Sequence, residues 1–432
     1  MERPLTQRFR PDGEAPWIAE YEKSGGYEAV RQAIKNLTAS NIQQLVTESK
    51  LRGRGGAGFP TGKKWSVVPM GDQAPRPKYL VVNADEMEPG AFKDRVLMEG
   101  DPHQLIEGMI VAGYAIEAET GYIFLRDEYR LVAQRLQRAI AEARMRGYLG
   151  RHILGSSFSF DVYLHTSAGR YICGEETALL NALEGKRPIP RAKPPFPQVA
   201  GLWGQPTVVQ NVETLYNIPP IVTRGPAWYR DLAKSQDGGT KIYGVSGKVK
   251  RPGWWELPMG TTAEELLFEH AGGMREGVRF RGLLPGGAST AFLVEEHLSL
   301  PMDFSSIPPA VSRMGTGTMI VLDDRSCPVA FMANLEQFFA QESCGWCTPC
   351  REGLPWVFRI LMAMENGQGV SSDMDLLTTH PRLLAFGHTF CALAPGAMDP
   401  LASALKYFRD DFEQHISARH CPWGGEPIPM AV

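Results

Sequence analysis

The chain has 432 residues, 22% charged and 43% hydrophobic, with a formal net charge of −3; this exceeds what one core usually organises and fits about three domains. Basic residues are scattered rather than striped, so nucleic acid is not an expected partner, and no apolar run approaches the roughly 20 residues that cross a bilayer, segments such as Met109–Ile116 being far too short. Seven cysteines, an odd number with one tight group, read as metal ligation plus leftover thiols rather than a disulfide framework, and the N-terminus lacks a signal core, so a reducing bacterial cytoplasm is expected.

In chain order, residues 1 to about 50 are polar with helical patches, followed by the abrupt glycine-rich stretch Arg52–Trp65. Tyr79–Asn83, Tyr122–Leu125 and Phe160–His165 are strand-like. Between and after them, residues 102–117, Glu128–Arg146 (Leu131, Leu136, Ile140 and Ala143 on one side) and Glu175–Leu183 carry helical periodicity. Alternating strands and helices predict a parallel sheet with covering helices, whose ligands lie at the carboxyl ends of the strands. From Lys241 the pattern shifts to short strands, glycine turns and one short helix over Thr262–His270, a compact α+β unit. Pro188–Pro197 and Pro301–Pro309 are extended connectors, because prolines at that density exclude helix. Helices are predicted over Phe331–Glu342, Leu354–Glu365, Leu376–Thr379 and Leu401–His415.

Within that helical part lies Cys344-Gly-Trp-Cys347-Thr-Pro-Cys350. Two-residue spacers turn successive thiolates around one iron–sulfur cube, and the next cysteine, Cys391, lies 41 positions beyond Cys350, so a separate element is expected to supply the fourth ligand. A structural zinc site is the other reading, since soft thiolates suit both metals. Cys173, Cys327 and Cys421 are left as small buried hydrophobes.

Three loops carry nucleotide-binding chemistry. Gly53-Arg-Gly-Gly-Ala-Gly-Phe-Pro-Thr-Gly62 offers unobstructed backbone amides to a phosphate or flat ring, with Lys63 or Lys64 as balancing charge; a plain surface loop is the alternative. It matches neither a Walker A nor a Rossmann fingerprint. Asn83-Ala-Asp-Glu-Met-Glu-Pro-Gly90 puts three carboxylates after a strand, or is a solvated acidic turn. In Gly169-Arg-Tyr-Ile-Cys-Gly-Glu-Glu-Thr177, Glu175 and Glu176 either face a ligand or complement a helix dipole. Assigned to the ends of three successive strands, the loops favour a single nucleotide pocket.

These segments, with Asn211-Val-Glu-Thr-Leu and Glu342-Ser-Cys-Gly-Trp-Cys-Thr-Pro-Cys-Arg351, together resemble the flavin subunit of respiratory NADH:quinone oxidoreductase, complex I, from about residue 30 to 415. The resemblance implies an N-terminal helical segment (1–50), a Rossmann-like α/β domain for FMN and NADH (51–238), a ubiquitin-like β-grasp (SLBB) domain (239–328) and a four-helix bundle with one [4Fe–4S] cluster (329–432). It puts FMN on Gly53, Gly55, Lys64, Asn83, Asp85, Glu86, Tyr171, Gly174, Glu175, Asn211 and Thr214, and NADH on Phe59, Glu88, Glu176, Lys193 and Phe196. Glu86, Glu88 and Tyr171 are the expected catalytic-site residues, and Cys344, Cys347, Cys350 and Cys391 the cluster ligands. Aromatic faces at Phe59 and Phe196 suit adenine, or are core packing. Gln210, where an Asn is usual, and Val67, where some relatives carry an aromatic, depart from the pattern.

The implied reaction is hydride transfer from NADH to FMN, then single electrons to the cluster and on towards quinone. The implied partners are a [2Fe–2S] subunit and a large multi-cluster iron–sulfur subunit, at the cytoplasmic side of the bacterial inner membrane, with the membrane reached only through the complex. The diaphorase subunit of an NAD-dependent hydrogenase or formate dehydrogenase is the alternative.

Overall fold

The computed structural model describes residues 2–424; Met1 and residues 425–432, the end of the expected 329–432 unit, lie outside the described residues. Four parallel strands, β1 (Tyr79–Ala84), β2 (Thr120–Leu125), β3 (Asp161–Thr166) and β4 (Thr207–Asn211), form a sheet in the order β3-β2-β1-β4. Tyr79 stands opposite Thr120 on one side of β1 and opposite Thr207 on the other. No sequence pattern had marked β4. Its return to the far side of β1 reverses the direction of winding, and that reversal opens a crevice at the carboxyl ends of β1 and β4.

Helix Pro102–Ile116 is apolar on all sides because it is sandwiched: the sheet covers one face and the N-terminal helices the other. Asp101 caps it, accepting a hydrogen bond from the Gln104 amide at 3.2 Å, with Pro102 at its first position. The N-terminal helices Ile18–Lys23, Glu28–Asn36 and Ala39–Glu48 share one apolar core with the sheet. Helix Arg130–Met145 buries Leu136, Ile140 and Ala143 as its periodicity predicts. Leu131 departs from that face and is exposed in the first turn.

A second sheet holds β5 (Thr240–Ser246), β6 (Gly253–Pro258), β7 (Phe280–Leu284) and β8 (Thr318–Asp323) in the order β6-β5-β8-β7. Its outer pairs are antiparallel and the central β5–β8 pair is parallel, with helical segment Glu265–His270 in the crossover, which is β-grasp topology. The C-terminal part is helical: Pro328–Glu342, Thr348–Glu365, Ser371–Leu383, Leu393–Tyr407 and Arg409–Ala418. The helix expected over Leu401–His415 is two helices, broken at Phe408, which leaves helical geometry (φ −127°, ψ 24°) as its ring packs into the core. Among the described residues no helix is long and apolar enough to cross a membrane.

Candidate functional site: a cleft joined to a thiol pocket

A cleft of about 800 Å³ opens at the crevice beside β1 and β4. Every residue expected to touch FMN or NADH lines it, as do Gln210 and Val67. The glycine loop is closed at its neck, the Gly53 amide donating to the Phe59 carbonyl at 2.9 Å and Thr61 to Leu51 at 2.9 Å. It follows helix Ala39–Glu48 rather than a strand, contrary to the expectation of three loops on three strand ends; β4 supplies the remaining strand end. Gly58 is in the left-handed region (φ +65°), and a Cβ there would lie 2.4 Å from the Phe304 ring, so glycine is required. Arg54 points away from the cleft and is buried, donating to the carbonyl of Gly238 at 2.8 Å.

One wall carries a ladder of charges. Glu176 accepts from Lys64 Nζ at 2.8 Å and from Lys193 Nζ at 2.9 Å. Burial alone would raise its carboxyl, but the two ammonium groups outweigh burial and hold it below its ordinary value. Glu175 caps helix Glu176–Leu183, accepting from the amides of Thr177 and Ala178 at 2.8 Å each. Thus the helix-start reading holds for Glu175, while Glu176 is held by lysines.

On the floor, Asp85 accepts from Ser167 Oγ at 2.8 Å, whereas its Oδ2 is buried with no partner among the described residues. Burial pushes its carboxyl up to about 6. Gln210 Nε2 is likewise buried and unpartnered among the described residues. Asn83 donates to the Gly174 carbonyl at 3.1 Å, tying the loop after β1 to the loop after β3. Glu86 is committed to a helix start, accepting from the amides of Asp94 and Arg95 at 3.0 and 3.1 Å; burial and the neighbouring Asp94 carboxylate raise it to about 7. Glu88 accepts from the Tyr171 hydroxyl at 2.7 Å and the Ser289 amide at 2.6 Å, and burial raises it. Phe59 and Phe196 are each 54% exposed on the cleft, which excludes core packing for both.

Several cleft residues carry no sequence signal of their own. Lys93 and Asp94 line the floor, and Lys93 Nζ lies 2.6 Å from Asp94 and 3.1 Å from Glu213. Glu213 also pairs with Lys241 at 2.9 Å, all fully buried, so this one carboxylate ties the first sheet to the β-grasp sheet. From the β-grasp unit, Gly286, Ser289, Arg313, Gly315 and Thr316 close the cleft's far side. The turns Pro285-Gly-Gly-Ala288 and Gly315-Thr-Gly317 were a readable signal for a close backbone approach.

Cys344, Cys347, Cys350 and Cys391 gather in one small pocket. Gly345 (φ +73°) turns the chain between the first two, Cys350 lies in the first turn of Thr348–Glu365, and Cys391 immediately precedes Leu393–Tyr407, so two helix N-termini face the anionic site. Burial pushes the Cys350 thiol up to about 12 and that of Cys391 to about 11, each with the other cluster thiols adding to it. Cys391, Ile172 and Leu393 belong to both the thiol pocket and the cleft. Of the leftover thiols, Cys173 is buried in the apolar core as expected. Cys327 and Cys421 are not; both are partly exposed and gathered beside Glu365 and His415.

The donor sets fit the groups they imply. Asp85 Oδ2 and Gln210 Nε2 are an acceptor and a donor awaiting a polar, planar partner, and a Cβ on Gly55 would crowd Asn211 at 3.2 Å, as a backbone cradle requires. Four convergent thiols suit an iron–sulfur cube. Fold and site together define a protein that joins a nucleotide cleft to a thiolate metal centre, the class of flavin- and iron–sulfur-bearing electron-transfer proteins.

Three family models match in chain order: the Nuo51 FMN-binding domain over residues 46–220, the SLBB domain over 242–293 and the NADH-ubiquinone oxidoreductase-F iron-sulfur binding region over 330–415. The chain is 54% identical over 413 residues to the F subunit of NADH-quinone oxidoreductase from Salmonella typhimurium and to that from Escherichia coli, covering 96% of this chain and 93% of each relative. The second F subunit of the same enzyme in Rhizobium meliloti is 52% identical, over 96% of this chain and 97% of the relative. Among solved structures, the NAD+-reducing [NiFe]-hydrogenase in its H2-reduced state aligns with a TM-score of 0.81 and 34% identity, covering 96% of this chain and 68% of that one. The chain belongs to the family of NADH-quinone oxidoreductase F subunits. At 34% against 54% identity, the hydrogenase reading stands second.

Proposed function

We propose that the cleft is where NADH is oxidised and that electrons leave it through the thiol pocket, one wall residue away. As a member of its family the chain is an NADH dehydrogenase subunit of complex I, an oxidoreductase with FMN and one [4Fe–4S] cluster as cofactors and NADH as substrate. The observation carrying the reading is that Cys391 borders both cavities, so a group in the cleft and a metal centre on the four thiols share a wall.

Bound FMN supplies the conversion between the hydride pair of NADH and the single electrons a cluster accepts. The chain's own part is positioning and electrostatics. Gly53, Gly55 and Lys64 hold phosphate; Asn83, Asp85, Glu86, Tyr171, Gly174, Glu175, Asn211 and Thr214 surround the rest of the flavin. The free Oδ2 of Asp85 and Nε2 of Gln210 find their hydrogen bonds there. Phe59 and Phe196 receive the nucleotide's base, with Glu88, Glu176 and Lys193 beside it; Lys193 can exchange its carboxylate partners for a ligand phosphate. Tyr171 and the Ser289 amide fix the Glu88 carboxylate at the cleft wall, so its charge opposes long residence of a polyphosphate nucleotide.

Beside the thiol pocket, Trp346 and Phe390 are 52% and 43% exposed and pack edge to face at 6.2 Å. Such an apolar patch suits a docking partner at the exit of the electrons. We assign it to the [2Fe–2S] subunit or the large multi-cluster subunit, in a peripheral assembly on the cytoplasmic side of the bacterial inner membrane. The domain limits carried by this reading are 51–238, 239–328 and 329–432, preceded by the helical segment 1–50. An anaerobic NADH titration of the purified chain, followed optically and by paramagnetic resonance, tests the route: flavin absorption bleaches and a reduced-cluster signal grows. In Cys391→Ala the bleaching stays and the cluster signal is lost. A cluster signal that persists in that variant refutes the assignment.

A further inference from the structure

Outside the cleft and the thiol pocket, four side chains from four segments converge. Cys327 sits between β8 and helix Pro328–Glu342, Glu365 ends helix Thr348–Glu365, His415 lies in Arg409–Ala418, and Cys421 follows that helix. One ligand-type atom from each lies within 4.8 Å of the other three. Cys327 Sγ is 2.9 Å from Glu365 Oε1 and 3.3 Å from His415 Nε2, and His415 Nε2 is 3.0 Å from the same Oε1. Glu365 is fifteen residues along one helix from the cluster ligand Cys350, roughly 22 Å at 1.5 Å rise per residue, so this is not part of the iron–sulfur site.

We propose that Cys327, Glu365, His415 and Cys421 bind one zinc ion, a structural site that fastens the chain's C-terminal stretch to the helical bundle and the end of β8. The donor chemistry argues for it. His415 Nδ1 lies 2.6 Å from the Asp411 carbonyl, which only accepts, so Nδ1 carries the proton and Nε2 turns inward. A backbone carbonyl on the outer nitrogen is the usual orienting contact of a metal-bound imidazole. In neutral His415 that inward nitrogen is a lone pair facing a carboxylate oxygen and two sulfurs, an arrangement whose only donors are weak thiol protons and that a cation satisfies.

The geometry is compatible. Tetrahedral zinc, with bonds of about 2.0–2.3 Å, spaces its ligand atoms roughly 3.3–3.8 Å apart. The present separations are a few tenths of an ångström shorter where hydrogen bonds bridge the atoms and bounded by 4.8 Å elsewhere. Binding replaces two thiol protons, released to solvent, by two sulfur–zinc bonds, with no change of oxidation state. Trp423 stacks on the His415 ring at 5.8 Å and 14°, shielding it from water, and donates to the Asp324 carbonyl at 3.4 Å. Four protein donors leave no open position, so the site is structural rather than catalytic.

The test is metal analysis of the full-length chain, purified with FMN and its cluster, under reducing conditions without chelator. One zinc per chain is expected in addition to the cluster iron. Cys421→Ser, in a partly exposed position beyond the last helix, and Glu365→Gln should each lower zinc more than tenfold while iron and flavin stay constant, which shows that the chain has folded. Cobalt replacing the zinc should give visible tetrahedral cobalt–thiolate bands that Cys421→Ser abolishes. The proposal is overturned by full iron with only trace zinc, by zinc that is unchanged in Cys421→Ser, or by zinc that rises only as iron is lost. A Cys327–Cys421 disulfide in the freshly isolated protein, found by mass mapping after alkylation, overturns it equally.

Discussion

Glu213→Gln removes one negative charge from beneath the cleft and leaves two lysines facing each other. In the native protein Glu213 is fully buried, with Oε2 2.9 Å from Lys241 Nζ and 3.1 Å from Lys93 Nζ, and Oε1 accepting from the Ile242 amide at 2.8 Å. Burial by itself would raise this carboxyl, but Lys241, Lys93 and Arg54 overcome burial and bring it down to about 2 from an ordinary 4.5. A fall of that size, at 1.36 kcal/mol per pH unit, makes the ionised form worth about 3 kcal/mol to the folded state, in line with roughly 3–5 kcal/mol for breaking a buried ion pair. Glutamine cannot ionise and turns an amide donor towards ammonium donors, so the whole amount is lost. An unfolding entropy of about 2.1 cal/mol/K per residue across the chain gives ~0.9 kcal/mol/K, and the melting temperature should drop by about 3–4 °C in calorimetry.

The pH dependence supplies a second check. The folded value lies below the unfolded one, so the stabilisation is complete above 4.5 and fades as pH falls towards about 2. The gap between native and variant chains should therefore be constant from pH 5.5 to 8 and narrow on acidification. A loss under about 1 kcal/mol at pH 7, or a gap that widens in acid, refutes the argument that this carboxylate is the tie between the two sheets.

Lys64→Ala should weaken FMN retention about tenfold, the loss of a charge-assisted hydrogen bond of roughly 1.5 kcal/mol, read from fluorescence of released flavin; unchanged retention removes Lys64 from the phosphate site. Gly55→Val places a branched side chain where even a Cβ sits 3.2 Å from Asn211, so flavin content should fall while cluster iron is preserved. For Glu88→Gln we expect tighter product NAD+ and slower turnover in steady-state kinetics; identical constants would remove its charge from the mechanism. Asp85, raised by burial to about 6, disfavours the flavin-free fold once ionised, its contribution being present below 3.8 and lost as pH rises through about 6. Flavin-free Asp85→Asn should accordingly melt higher than the native chain at pH 8 and equally at pH 4.

Local chemistry was legible because it is local. The thiol spacing in Cys344–Cys350, the glycine loop, and the acids after the first strand each announce their role within ten residues or so, and the family resemblance rests on those runs. Periodicity also marked helix Pro102–Ile116, whose apolar surface has no polar side to hide. Tertiary structure alone decided the rest. β4 became visible only where it pairs with β1, and its position on the far side of β1 is what creates the cleft. Glu86 and Glu88 look equivalent in sequence, yet one caps a helix and the other meets Tyr171, because each carboxylate follows the nearest unpaired donor in space. The same holds for Cys327 and Cys421, which in sequence look like small hydrophobes and in space meet Glu365 and His415. Pairings between residues so far apart along the chain are fixed by how helices stack, which no short-range pattern encodes.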